Sequence, residues 1–208
     1  MLRPTLITAP TDTPVSLAEA KARLRVESAN TDEDDLITAL VDSATAYLDG
    51  YTGILGRCLM PQTWRTFYES FLECDDDPPV SLPTKVGPTL RLPFPGVTAA
   101  VVKYYDAANA QQTVDSSQYQ ILVDDLGSFV AFPYTYVPPN TYFRADAVSV
   151  DLTAGYADAA SVPAPLKQAI LLLVGDWYQS RETAQAGRIA ALPYAVDALV
   201  EPFRCVGA

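Results

Sequence analysis

Hydrophobic positions recur along the chain with two different periods, and the change of period divides it into three stretches. The clearest helical signal lies late, in Pro163–Glu182, PAPLKQAILLLVGDWYQSRE. Pro163 and Pro165 suit a first helical turn, where the missing N–H costs nothing. Leu166, Ala169, Ile170, Leu173 and Trp177 follow at helical spacing as one stripe, and Leu171, Val174 and Tyr178 form a second beside it. The two stripes span roughly 200°, against ~100° for an ordinary surface helix, and leave Gln168, Asp176 and Gln179 on the remaining face. Two apolar faces call for two partners. One is the chain's own core; the other is the strand-rich part or a neighbouring subunit, unless both faces are internal. The segment is no membrane span, because Leu166–Val174 as a helix rises only ~14 Å against ~30 Å of hydrocarbon.

Helical spacing also marks the first stretch. Met1–Pro14 reads as an extended arm with prolines at 4, 10 and 14. Ser16 then caps a helix, and Glu19 can reach back to complete a capping box. This helix runs to about Val26, buries Leu17, Ala20 and Leu24, and carries Lys21, Arg23 and Arg25 as a basic set. A second helix opens in Asn30–Asp35, capped by Thr31 or Asp32, with its acids at the positive end of the dipole. Leu36, Ile37, Leu40, Val41, Ala44, Tyr47, Leu48 and Tyr51 make its apolar face, and Gly50 and Gly53 end it. Asp35, Asp42 and Asp49 are spaced by seven and line the opposite face, as a solvated surface or as an acidic stripe with a task.

Between Pro61 and Gly155 the period shortens to two. Gln62–Phe71 alternates Trp64, Thr66 and Tyr68 against Arg65, Phe67, Glu69 and Phe71. Leu90–Leu92, Val97–Asp106 and Ala147–Ala154 are further strands, and Tyr119–Val123 with Ser128–Phe132 is a hairpin around Asp124–Gly127. Pro133–Asn140 is a rigid loop. Short strands separated by turns predict a small sandwich or barrel. After the long helix, Thr183–Ala191 is a small, polar, mobile loop, and Leu192-Pro193-Tyr194 starts a short last helix with Val196, Leu199, Val200 and Phe203 on its apolar side and Pro202 as its breaker. The expected fold is α+β: N- and C-terminal helices packed as one helical core with an inserted antiparallel β subdomain. The expected divisions are 1–60, 61–155 and 156–208, the last forming one unit with the first.

Composition narrows the function. The chain has 208 residues, a net charge of -11 and no histidine. An acidic chain does not coat DNA by neutralising phosphates, although it can surround DNA without gripping it. Lack of histidine removes Ser-His-Asp and Cys-His catalysis and histidine metal sites. Cys58, Cys74 and Cys205 are an odd, widely spaced set that suits a reducing compartment. The N-terminus has no apolar signal core, so secretion is not expected. No nucleotide, hydrolase or zinc-protease motif is present, and Asp75-Asp76-Asp77 lacks the spacing of a calcium loop. Tyr104, Tyr105, Tyr134, Tyr136 and Tyr142 are candidates for stacking on bases or sugars, but without basic residues between them. No catalytic residue, metal or cofactor is expected, and the chain does not read as an enzyme.

The order of features carries more than any one motif. Pro14-Val15-Ser16-Leu17-Ala18-Glu19-Ala20-Lys21, Leu24-Arg25-Val26, the acidic Asp32–Asp35 opening a long helix, then Tyr51-Thr52-Gly53 and Arg57 resemble the N-terminal half of the phage head–tail connector family. Val102–Asp106, Thr153-Ala154-Gly155-Tyr156, Val162-Pro163, Leu166–Leu173, Trp177-Tyr178, Arg181-Glu182 and Leu192-Pro193 resemble its second half. The β stretch is larger than in the smaller, mostly helical members. The resemblance implies an adaptor that forms a ring, typically of twelve subunits, between the portal and the next tail-proximal (stopper) protein of a phage or gene transfer agent. Such a ring extends the DNA channel, lets DNA pass without sequence-specific binding, touches no membrane, and is assembled into the particle in the bacterial cytoplasm.

That reading assigns candidate surfaces. Leu171, Val174 and Tyr178 face a neighbouring subunit, if the second stripe is not internal core. Asp35, Asp42 and Asp49 face the channel, where like charge keeps DNA moving. Leu199, Phe203 and Arg204 contact the portal, since aromatic and arginine side chains are enriched at interface hot spots; otherwise Val196, Leu199 and Phe203 close the subunit's own core. The competing reading is a β-rich tail or baseplate accessory module that binds a surface polymer through the tyrosine-rich middle.

Overall fold

The computed structural model describes residues 2–72, 86–179 and 194–205. The expectations for Cys74 and Asp75–Asp77, for Arg181 and Glu182, for the loop Thr183–Ala191 and for Leu192-Pro193 lie outside those residues. The described chain is α+β and divides into two compact units, one of residues 2–9 with Pro61–Gly155 and one of Pro10–Met60 with residues 156–205.

In the helical unit, α1 (Leu17–Leu24) starts as its sequence dictates. The Ser16 hydroxyl accepts the Glu19 N–H (3.3 Å), and the Glu19 carboxylate accepts the Ser16 N–H (2.8 Å). The helix ends at Leu24, short of Val26, because Arg25 adopts the left-handed conformation, φ 60°, at the C-cap. The second helix, α2 (Asp34–Leu48), begins at Glu33, whose side chain makes no cap bond. Thr31 and Asp32 sit instead in a preceding turn, where the Asn30 side chain accepts the Asp32 N–H and the Thr31 carbonyl accepts the Asp34 N–H. After Asp49 the chain doubles back so tightly that a Cβ on Gly53 would lie 2.3 Å from the Asp49 carbonyl oxygen, which only glycine allows.

The long helix α3 (Ala164–Gln179) and the short α4 (Tyr194–Val200) complete this unit. Ile37, Val41 and Leu48 of α2, Leu166, Ile170 and Leu173 of α3, and Val196 and Val200 of α4 are buried in one core. Lys21 is not part of a solvated basic face. It is 5% exposed, and its ammonium reaches the Asp34 carboxylate (2.5 Å) and the Asn30 carbonyl (2.8 Å), so it ties α1 to the start of α2.

The β unit contains two antiparallel sheets. The larger has the order β1 (Leu2–Thr8), β2 (Gln62–Tyr68), β8 (Val148–Ala154), β4 (Val97–Tyr105), β5 (Gln111–Thr113). The smaller has the order β3 (Val86–Arg91), β7 (Gly127–Pro133), β6 (Gln120–Asp124). Among the described residues neither closes into a barrel. The extended arm is β1, paired antiparallel along β2. The β6–β7 hairpin turns at Asp125-Leu126, with Asp124 opposite Gly127. On β2, Thr66 and Tyr68 point into the core as the alternation predicts and Gln62 joins them, whereas Trp64 is half-buried. Phe71, expected on the opposite face, is buried as well, because the strand ends at Tyr68 and the alternation stops there. The sheets share that core, where Phe71 packs edge-on to Phe132 (5.7 Å), and they are bridged by the Tyr68 hydroxyl on the Arg91 carbonyl and the Tyr119 hydroxyl on the Ala100 carbonyl.

Candidate assembly surfaces

The three sets of candidate residues lie on α2, α3 and the C-terminal segment, all in the helical unit. On α3, Val174 has no exposed surface and belongs to the core of its own unit. Leu171 and Tyr178 are half-buried at the edge of that core. The Tyr178 hydroxyl donates to the Glu33 carboxylate just ahead of α2. The second stripe is therefore largely used within the subunit, and only Leu171 and Tyr178 have surface left to share. The sequence underrated α2 here: Leu36 (43%) and Tyr47 (39%), read as part of its buried face, stay exposed, with Tyr47 set edge-on against Trp177. The apolar arc of α2 is wider than the core beneath it.

The acidic stripe is shorter than its spacing implied. Asp35 and Asp42 are exposed on α2. Asp49 is not in line with them, because α2 stops at Leu48 and Asp49 turns to an extended conformation. Its carboxylate accepts the Leu59 N–H at 2.5 Å and so shapes the turn after the helix. A spacing of seven places three residues on one face only if the helix continues through all three.

At the C-terminus, Leu199 and Phe203 pack half-buried against the helical core. The Arg57 guanidinium lies 6.0 Å from the centre of the Phe203 ring. Arg204 pairs with Asp197 and Glu201, each at 2.8 Å, and the Cys205 N–H donates to the Leu55 carbonyl. The segment is pinned to its own unit and still presents one side outward.

The β unit carries its charge differently. On the outer face of the larger sheet, Asp151 of β8 accepts two bonds from Arg65 of β2 (2.5 and 2.9 Å) and one from Lys103 of β4 (2.8 Å). The Arg65 guanidinium is the main reason the Asp151 carboxyl is held below its ordinary range; burial pulls the other way and Lys103 adds to the lowering. The tyrosines form no stacking array. Tyr136 is stacked on Phe132 (4.4 Å), Tyr104 packs edge-on to Phe71, and Arg144 covers Tyr105 at 3.9 Å. Tyr134, Val137 and Phe143 in the loop after β7 are strongly exposed, a feature that alternation could not reveal because the loop has no period. Among the described residues, no group of three or more His, Cys, Asp or Glu is placed to hold a metal ion, and no helix is long and apolar enough to cross a membrane.

The fold is that of subunits found in particle necks. It superposes on a chain from the neck of an empty gene transfer agent (GTA) particle computed with C6 symmetry, with a TM-score of 0.70 and 22% identity over 100% of this chain and 97% of that one. A chain in the virion of a native GTA particle matches with a TM-score of 0.70 and 23% identity, over 100% and 97% of the two chains. A chain in the neck of the native GTA particle computed with C12 symmetry gives 0.68 and 20%, again over 100% and 97%. A comparison with curated proteins finds no match. The model of the phage gp6-like head–tail connector proteins matches residues 14–124, more than half of the 208 residues. The chain belongs to that family.

Proposed function

We propose that this protein is a ring-forming adaptor, of twelve subunits, that sits between the portal and the next tail-proximal (stopper) protein of a phage or phage-like particle and extends its DNA channel. It takes its place in the particle in the bacterial cytoplasm. The observation that carries this reading is the family match over residues 14–124, which spans parts of both units. The fold shared along the whole chain with proteins of particle necks, one computed with C12 symmetry, supports the ring. A head-to-tail ring uses two different patches of each subunit. We assign one to Leu171 and Tyr178, continued by the exposed Leu36 and Tyr47. The net charge of -11 suits a wall along which DNA slides, and the exposed Asp35 and Asp42 are the candidates to face it, with Asp49 restricted by its bond to Leu59. Leu199, Phe203 and Arg204 are assigned to the portal contact. No step of this function requires catalysis or a cofactor.

Imaging the protein mixed with its cognate portal tests the reading: a ring with a central hole, stacked on the portal, is expected, and a monomer that ignores the portal overturns it. Leu171→Glu should block ring formation and leave the melting curve in place. If it unfolds the monomer, the stripe is core. Truncation after Leu192 should abolish portal capture; undiminished capture removes the C-terminal contact.

A further inference from the structure

A cavity of about 520 Å³ opens in the helical unit between the end of α1 and the outer side of α3, with Ala195 of α4 on its wall. Arg23 and Arg25 line it. Among the described residues these are the cations without an interaction partner: Lys21, Arg65, Arg91, Lys103, Arg144, Lys167 and Arg204 are ion-paired, Arg57 donates to Tyr156, and Arg3 is engaged too. In a chain with 25 acids and 14 bases, two unmatched arginines at one cavity are a local reversal of charge. Asp176 shares the wall with them and has an interaction of its own.

Two backbone facts point the same way. Arg25 sits at φ 60°, the C-cap position where glycine is the usual residue and a side chain is strained. Gly175 lies within α3, where glycine weakens a helix relative to alanine, and a Cβ there would meet nothing within 4 Å. Arg25 places a side chain where glycine would be easier, and Gly175 leaves out a side chain where one would fit. Both choices leave an open cavity with a charged rim, and Leu24 and Leu172 add apolar surface to it.

We propose that this cavity docks an acidic segment of the head-side partner, with carboxylates on Arg23 and Arg25 and an apolar side chain against Leu24 and Leu172. The proposal rests on the adaptor reading and adds a second, charge-reading part to the portal-facing surface, since α4, which carries Leu199, also supplies Ala195 to the wall. Charge complementarity with the arginine rim favours an acidic peptide segment, and the chain's net charge of -11 disfavours duplex DNA.

The test uses the full chain and three variants. Arg25→Gly removes one charge where glycine is at home. Gly175→Ala adds a methyl group in open space. Arg23→Glu with Arg25→Glu reverses the rim. Arg25→Gly should weaken portal binding about tenfold and the double reversal about a hundredfold, as expected for charge-assisted bonds, with the wild-type loss of affinity in salt flattened. Gly175→Ala should raise the melting temperature by about 2–4 °C and still weaken binding. Calorimetric titration of a synthetic peptide of alternating aspartate and leucine should show binding to wild type and none to the double variant. If all three variants bind portal like wild type, the docking site is overturned. It is also overturned if the double reversal instead abolishes retention of duplex DNA. If wild type ignores the portal, the adaptor reading fails, and the peptide titration alone decides the cavity: heat absent from wild type removes it.

Discussion

The helical unit and the β unit bury apolar surface by different means. The helical core is aliphatic, and its members come from two segments separated by the whole of Pro61–Gly155. The β core sets aromatic rings among its aliphatic residues, with Tyr68, Phe71, Phe94 and Phe132 all but fully buried, and apart from β1 it comes from one continuous stretch. Their charges differ in the same sense. Lys21 is sunk into the helical unit and holds two helices, whereas Arg65, Asp151 and Lys103 lie across the outer face of a sheet. A core assembled from distant segments needs specific ties between its parts. A sheet already has a ladder of backbone bonds, and surface charges only brace it. The chain has two tryptophans, and one falls in each unit: Trp177 beside Tyr47 and Trp64 beside Phe94. The contrast can therefore be read unit by unit.

The largest effect is expected from Ile170→Ala. Ile170 is fully buried in the helical core, and truncation there should cost about 3–4 kcal/mol. In single-tryptophan variants, the Trp177 transition should move well below the Trp64 transition. Equal shifts for both reporters would mean that the two units melt as one, and the contrast would lose its energetic meaning.

Lys21→Met comes next. It keeps the aliphatic stem but leaves the Asp34 carboxylate and the Asn30 carbonyl without their cation. Loss of a buried, hydrogen-bonded charge pair should cost about 2 kcal/mol, because Asp34 retains some access to water. The loss should appear in Trp177 fluorescence. A cost below that of a surface pair would show that Lys21 is not a tie.

Asp151→Asn should be the mildest, about 1 kcal/mol, since the cluster is partly solvated, and it should register at Trp64. It also has a pH signature. The Asp151 carboxyl is held below its ordinary range, mainly by Arg65. Its stabilising contribution is thus complete above about pH 4, the unfolded value, and is lost as pH falls through the lower folded value. A series of melts from about pH 5 to about pH 2 should show a shallower acid decline in the variant. Parallel curves would mean that the cluster does not brace the sheet.

Much of this was legible in residue order. Ser16 and Glu19 specified their capping box alone, because both partners lie within one turn. The alternation through Gln62–Tyr68 and the hairpin at Asp124–Gly127 were readable for the same reason: each depends on neighbours in sequence. The Leu166, Ala169, Ile170 and Leu173 stripe was readable because helical period and burial coincide there.

Other features were decided only when distant segments met. Whether Val174 faced a neighbour or its own core depended on which helices surrounded it, and it is fully buried. Lys21 looked like its solvated neighbours Arg23 and Arg25 until the turn into α2 brought Asp34 and two carbonyls over it. Asp49 left the acidic stripe because Leu59, ten residues on, claimed its carboxylate at the helix end. Short-range periodicity sets which face of an element is apolar and which local bonds form. It does not set how wide a core covers that face or which backbone group a polar side chain will find, because those depend on the packing partner, and the partner is fixed by the whole chain.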